Sequence, residues 1–234
     1  MSELTGKVAI VTGAAGNLGR AVCQTLAARG ASIALLGRDA ESLEATRAGL
    51  GESAAFAVDL IDPQGLEQTV AAVRARFGRI DILANIAGGF TMGPPLHQTS
   101  DQDWDRMMDM NARSVFNACR AVIPHLLGLG GGRVVNIAAR AALKGQGHMA
   151  PYCAAKAVVI RLTESLAEEH RDDGINVNCI LPGTLDTPEN RAAMPDADFS
   201  RWVGTDALAD VVLFLVTDAA RAISGAAIPV YGRS

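Results

Sequence analysis

Tyr152 and Lys156 stand four positions apart in the run PYCAAKA. On a helix that spacing puts both side chains on one face, one turn apart. A phenol with an unperturbed pKa near ~10 is a poor acid or base at neutrality, and an ammonium beside it favours the phenolate and lowers that value. The couple is therefore equipped to pass a proton to or from a reacting group. Alone, the same spacing also describes an exposed tyrosine and lysine on an ordinary helix, so its meaning depends on its surroundings.

A second set of residues points to phosphate. Thr12-Gly13-Ala14-Ala15-Gly16-Asn17-Leu18-Gly19 follows an apolar run, Lys7–Thr12, and opens an amphipathic stretch, Leu18–Arg29. Glycines there permit a tight turn and let backbone N–H groups approach a pyrophosphate at the positive end of a helix. Placed after a first strand, the turn predicts dinucleotide binding by Gly13, Gly16, Asn17, Leu18 and Gly19. After the second strand, where an acid would take ribose hydroxyls, the sequence gives Gly37-Arg38-Asp39. Arg38 suits a 2′-phosphate and Gly37 leaves room, which favours NADP over NAD; the alternative is a solvated loop arginine, or one pairing with Asp39 or Glu41. Asp59, followed by Leu60, ends the third strand and is placed to accept from an adenine amino group, or else caps the turn before Pro63.

These residues need a frame. Apolar runs of strand length are predicted at Lys7–Thr12, Ser32–Leu36, Ala54–Val58, Ile80–Asn85, Gly132–Ala138, Ile175–Leu181 and Ala227–Val230. Between them lie helical stretches at Leu18–Arg29, Ala40–Leu50, Pro63–Phe77, Asp101–Leu127 (at least in part), Pro151–Arg171 and Thr205–Val216. Alternation with apolar strands predicts an α/β fold, a doubly wound parallel sheet of about seven strands with helices on both faces. One domain over 1–234 is expected, with 183–204, rich in Pro, Asp and Asn, as a loop beyond the strand ends that serves as a substrate lid.

Composition narrows the class. The 234 residues are 49% hydrophobic and 20% charged, with net charge −4 and no basic block, which argues against nucleic acid or an anionic membrane as partner. Cys23, Cys119, Cys153 and Cys179 are scattered, without CxxC or Cys/His spacing, so reduced thiols in packed elements are expected and no metal. The N-terminus has no apolar signal core and no run reaches membrane-span length, so a cytoplasmic location is expected.

TGAAGNLG, then Asn85-Ile86-Ala87-Gly88, Asn111, YCAAK and Pro182-Gly183 occur in that order. Together they closely resemble the short-chain dehydrogenases/reductases over nearly the whole chain. The resemblance implies a Rossmann-like fold, a nicotinamide cofactor whose positive ring also favours the phenolate, a small-molecule substrate, and a homodimer or homotetramer. It implies that Tyr152 is the acid/base, that Lys156 holds the nicotinamide ribose and tunes Tyr152, and that Asn111 positions a water in a proton relay. Asn85, Ala87 and Gly88 would line the cofactor, with Pro182, Gly183, Thr184 and Thr187 by its carboxamide and phosphates.

One position departs from that pattern. The family places a serine thirteen residues before the tyrosine, donating to the substrate oxygen; here it is Ala139, and Ala138 has no hydroxyl either. Losing one such preorganised donor costs roughly 2.7–4 kcal/mol in a barrier. A narrower resemblance gives the alanine a meaning. Leu181–Pro188, Asn190-Arg191, Met194-Pro195, Ala197–Ser200 and Trp202, with Ala87–Phe90 and Ala141–Leu143, are similar to the dihydropteridine reductase branch, which also lacks the serine and reduces quinonoid dihydropterins. On such an acceptor charge develops on ring nitrogen and a delocalised amide, and a donor aimed at a lone oxygen is dispensable. That branch prefers NADH, which Arg38 opposes. His148, four before Tyr152, is a candidate substitute donor or a surface histidine, and Trp202 a candidate to stack on a flat ring. The alternatives are an ordinary ketone or 3-oxoacyl reductase and a cofactor-binding pseudoenzyme.

Overall fold

The computed structural model describes residues 3–233; residues 1, 2 and 234 of the expected 1–234 domain lie outside them. The strands are β1 Val8–Thr12, β2 Ser32–Gly37, β3 Ser53–Ala57, β4 Ile82–Asn85, β5 Gly132–Ile137, β6 Ile175–Pro182, β7 Leu185–Asp186, β8 Val203–Gly204 and β9 Ala227–Val230. The helices are α1 Asn17–Ala28, α2 Ala40–Arg47, α3 Pro63–Phe77, α4 Asp101–Met108, α5 Ser114–Leu129, α6 Ala150–Glu169, α7 Pro188–Ala193 and α8 Thr205–Val216. Seven strands form one parallel sheet in the order β3-β2-β1-β4-β5-β6-β9. The chain winds outward from β1 to β3, then restarts on the other side of β1 with β4. That switch point opens a crevice at the carboxyl ends of the strands.

Period-two side-chain alternation fills both faces. Val8, Ile10, Leu36, Leu83, Val134 and Val177 point to the layer containing α3, α5 and α6. Ala9, Val11, Leu35, Ala84, Val135 and Ile180 point to the layer containing α1, α2 and α8. Strands buried on both sides explain why each reads as a continuous apolar run.

Two departures from the sequence expectation lie near the site. The predicted helix Asp101–Leu127 is two helices joined by a π turn at Asp109–Arg113. The predicted loop 183–204 is not structureless: β7 pairs in parallel with β8, and α7 runs between them, with Pro188 in its first turn and Thr187 accepting from the Asn190 N–H as its cap. Local bonds of Thr187, and of Asp198 to Ser200, order a segment whose Pro and Asp content reads as loop.

Candidate active site

The turn after β1 fits a dinucleotide on its own geometry. Gly13 has φ +65, and a Cβ there would lie 2.8 Å from the Ala87 Cα. One at Gly19 would lie 2.1 Å from the Gly13 carbonyl oxygen. Backbone thus passes against backbone at both positions. Gly16 caps α1 without a side-chain bond to its first N–H groups, which leaves that positive end for an anion. Leu18 is buried beneath, while the Asn17 side chain donates to Glu189 of α7 at 2.7 Å. Thr12, missed by the sequence reading, holds the turn to its neighbour: its hydroxyl accepts from the Ile86 and Ala87 N–H groups at 3.1 and 3.2 Å. A polar residue ending an apolar strand was the available signal.

Arg38 is exposed at the end of β2. Asp39, one of its suggested partners, instead caps α2 by accepting from the Ser42 N–H at 2.8 Å. The Ser42 hydroxyl, together with that N–H, holds the Asp39 carboxyl below the usual range. Asp59 accepts from the Ile61 N–H at 3.1 Å, the turn-capping alternative, which engages one of its two oxygens. The Leu60 carbonyl is tied down by the Asn117 amide at 2.9 Å.

Asn85 was expected to line the cofactor. Its side chain turns inward, donating to Asn136 of β5 at 2.9 Å, and Asn136 donates to Thr163 of α6 at 2.9 Å. All three are buried, and neither Asn136 nor Thr163 belonged to the predicted site. Asn111 sits in the π turn. It accepts from the Gly89 N–H at 3.1 Å and donates to the Gly89 and Met107 carbonyls at 3.0 and 3.1 Å. A Cβ at Gly88 would lie 2.8 Å from Asn111 Oδ1 and 3.1 Å from Lys156 Nζ. Asn111, Gly88 and Lys156 therefore meet at one point, beside the nucleotide turn.

Tyr152 and Lys156 lie in the first turns of α6. Tyr152 packs with Met149 against Ala139, Ala141 and Cys153, and its ring meets the edge of Phe90 with centroids 5.0 Å apart. Lys156 is buried and donates to the Ile137 carbonyl at 2.8 Å. Its Nζ stands 6.0 Å from the Tyr152 ring centroid. Burial, with Cys153 next to it, pushes the phenol up to about 12, and burial pushes the Lys156 ammonium down to about 8. The expected lowering of the phenol is thus not produced by these two side chains alone. Desolvation outweighs an ammonium that gives its short bond to a carbonyl.

Ala139 is 7% exposed and faces the same apolar corner as Tyr152. His148 is exposed, with its Nδ1 3.2 Å from the Gly93 carbonyl oxygen. Trp202 packs within 183–204 against Phe199, with ring centroids 4.8 Å apart and planes tilted by 52°. On the far side of that segment, Gly183 donates to Val230 and the Thr184 carbonyl accepts from Val203, both at 2.9 Å, which fixes the chain after Pro182. The four cysteines are free and buried. Among the described residues, no group of three His, Cys, Asp or Glu is placed to hold a metal, and no helix is long and apolar enough to cross a membrane.

A seven-stranded parallel sheet with a glycine turn at its switch point defines a Rossmann-like dinucleotide-binding scaffold. Residues 7–198 match the family model described as short chain dehydrogenase. The chain belongs to that family. It is 37% identical to the D-threitol dehydrogenase of Mycolicibacterium smegmatis (strain ATCC 700084 / mc(2)155), covering 98% of this chain and 93% of that one. It is 34% identical to the 3-oxoacyl-(acyl-carrier-protein) reductase of Escherichia coli (strain K12), covering 97% and 96%. The carveol dehydrogenase of Mycobacterium avium, solved in complex with NAD, superposes with a TM-score of 0.90 at 28% identity, covering 99% of this chain and 98% of that one. The protein is a short-chain oxidoreductase that uses NAD(P).

Proposed function

We propose that the protein is an NADP(H)-dependent reductase of a conjugated or quinonoid acceptor, with a dihydropterin as the candidate substrate. The observation that carries the reading is Ala139. At the corner facing Tyr152, where the family supplies a hydroxyl, stands a methyl group backed by Ala141, Cys153 and Met149. That wall suits an acceptor whose developing charge spreads over a ring. The bound nicotinamide supplies the hydride. Tyr152, kept protonated by burial, gives the proton. Lys156, held by the Ile137 carbonyl, takes the nicotinamide ribose and stands as the charge nearest the phenol. Asn111 fastens Gly89 beside them and positions a water in the proton relay. Gly13, Gly16, Asn17, Leu18 and Gly19 cradle the pyrophosphate. Pro182, Gly183, Thr184 and Thr187 would sit by the cofactor's carboxamide and phosphates, with 183–204 as lid and Trp202 within it. Arg38, whose neighbour Asp39 is occupied as a cap, pairs with the 2′-phosphate.

A second reading is favoured by the alcohol and oxoacyl chemistry named for the two sequence relatives. In it the acceptor is a ketone or 3-oxoacyl group, and water, backbone or His148 replaces the serine. The deciding experiment is a panel of quinonoid dihydropterin, simple ketones and oxoacyl thioesters, run with NADPH and NADH in parallel. Turnover of the dihydropterin supports the first reading, and ketone turnover alone removes it. Ala139→Ser separates them again: about a hundredfold gain on ketones is expected under the second reading, the worth of one restored oxyanion donor, and little change under the first. Arg38→Leu should weaken NADPH about tenfold to a hundredfold and leave NADH unchanged, as loss of a charge-assisted bond predicts. Equal effects on both cofactors would remove the 2′-phosphate role. The exposed side chains of Trp104 on α4 and Phe116 on α5 suit a homodimer or homotetramer, which light scattering would test.

A further inference from the structure

Among the described residues, His148 is the one non-glycine residue with positive φ, at 64°. An imidazole side chain pays for that conformation in strain, and such strain persists where surrounding bonds hold it. The bonds that hold it run to a single residue, Gly93. The Gly93 N–H donates to the His148 carbonyl at 2.8 Å, and His148 Nδ1 lies 3.2 Å from the Gly93 carbonyl. Gly93 belongs to the segment 86–95, which has no helix or strand of its own. That segment carries Phe90 to the edge of the Tyr152 ring at 5.0 Å, and leaves Phe90 and Met92 51% and 61% exposed. His148 itself lies one residue before Met149, the cap of α6. A two-point clasp thus joins the segment bearing Phe90 to the start of the helix bearing Tyr152.

We propose that His148 is a positioning residue that sets acceptor specificity. By clasping Gly93 it holds 86–95 over Tyr152, so that the Phe90 ring forms a fixed apolar wall for a planar acceptor. This rests on Tyr152 being the acid/base and on the planar-acceptor reading of the site. His148 acts through the loop and donates no proton. The bond requires a hydrogen on Nδ1, since the partner is a carbonyl, which only accepts.

The test compares His148→Gly, His148→Asn and Phe90→Ala with wild type. Glycine takes the positive φ freely and removes the ring; asparagine tolerates it and offers an amide N–H to the Gly93 carbonyl. His148→Gly should raise KM for the best planar acceptor about tenfold, the upper worth of one hydrogen bond, with KM for NADPH and the melting temperature unchanged. His148→Asn should recover most of that loss. His148→Gly combined with Phe90→Ala should be no worse than Phe90→Ala alone, because both act through one wall. Amide exchange of residues 89–93 should speed up in His148→Gly, a readout that needs no acceptor. If exchange speeds up but wild type turns over nothing, the clasp stands and the functional reading falls. Unchanged exchange, an unchanged acceptor KM, an equal rise in cofactor KM, or asparagine no better than glycine would each overturn the clasp.

Discussion

At the scale of single residues, the tension in the site lies between burial and charge. Lys156 is 4% exposed, and desolvation brings its ammonium down to about 8 from an ordinary value of 10.5. Between those two values the unfolded chain binds more protons than the folded one, so stability rises with pH across that interval. Below about 8 the full penalty of a buried ammonium is present, and above about 10.5 it is gone. Lys156→Met exchanges the charge for a flexible apolar chain of similar length, at the cost of leaving the Ile137 carbonyl without its donor. We therefore expect Lys156→Met to abolish turnover and yet melt no lower than wild type at pH 7, by up to about 2 kcal/mol in its favour. The difference should shrink as the pH is raised from 8 to 10. Thermal melts over that range check it; a variant melting lower at pH 7 would show that the carbonyl bond outweighs the desolvation.

At the scale of elements, the Tyr152–Lys156 pair is aimed by how α6 is fastened to the sheet. Two attachments lie two turns apart on one face: Lys156 to the Ile137 carbonyl, and Thr163 to Asn136, which in turn holds Asn85 of β4. Thr163→Val keeps the shape but leaves the Asn136 amide with a lost acceptor. A cost of about 1–3 kcal/mol is expected, with kcat falling more than cofactor affinity, because α6 and not the nucleotide turn is loosened. Denaturant melts and a kcat-against-KM comparison check this, and Asn136→Ala added to it should cost less than the sum of the two. The strands were legible in the sequence because burial on both faces writes each as an unbroken apolar run. The nucleotide turn was legible because its glycines are forced by backbone contacts such as Gly13 against Ala87. The inward turn of Asn85 was not legible, since its partner arrives from a strand 51 positions later. Nor was the π turn at Asn111, where apolar periodicity continues through the break between α4 and α5. The helix α7 was hidden because its order comes from caps and not from an apolar face.

At the scale of the whole molecule, a second set of fastenings lies at the end of the sheet opposite the site. The cleft lies at the carboxyl ends of β1, β4 and β5. At the amino ends, Asp81 just before β4 accepts from both arms of Arg79 at 2.8 and 2.6 Å, from Lys7 at 3.1 Å and from the Val8 N–H at 3.0 Å. It clamps β1 to β4 directly beneath the switch point. Burial alone would raise this carboxyl, but the bonds from Arg79, Val8 and Lys7 outweigh it and hold it below the ordinary 3.8. Because its folded pKa is depressed, the stability it contributes is present above about 4, where the unfolded chain is also ionised, and is lost as the pH falls through the folded value. Asp81→Asn keeps the shape and drops the charge. A loss of about 2 kcal/mol at pH 7 is expected, or roughly 4–8 °C in melting temperature for a chain of this size, with KM for the nicotinamide cofactor and kcat at 25 °C unchanged. The gap between variant and wild type should close as the pH is lowered below 4. A fall in cofactor affinity at pH 7 would instead show that the amino-end clamp shapes the nucleotide crevice across the full length of β1.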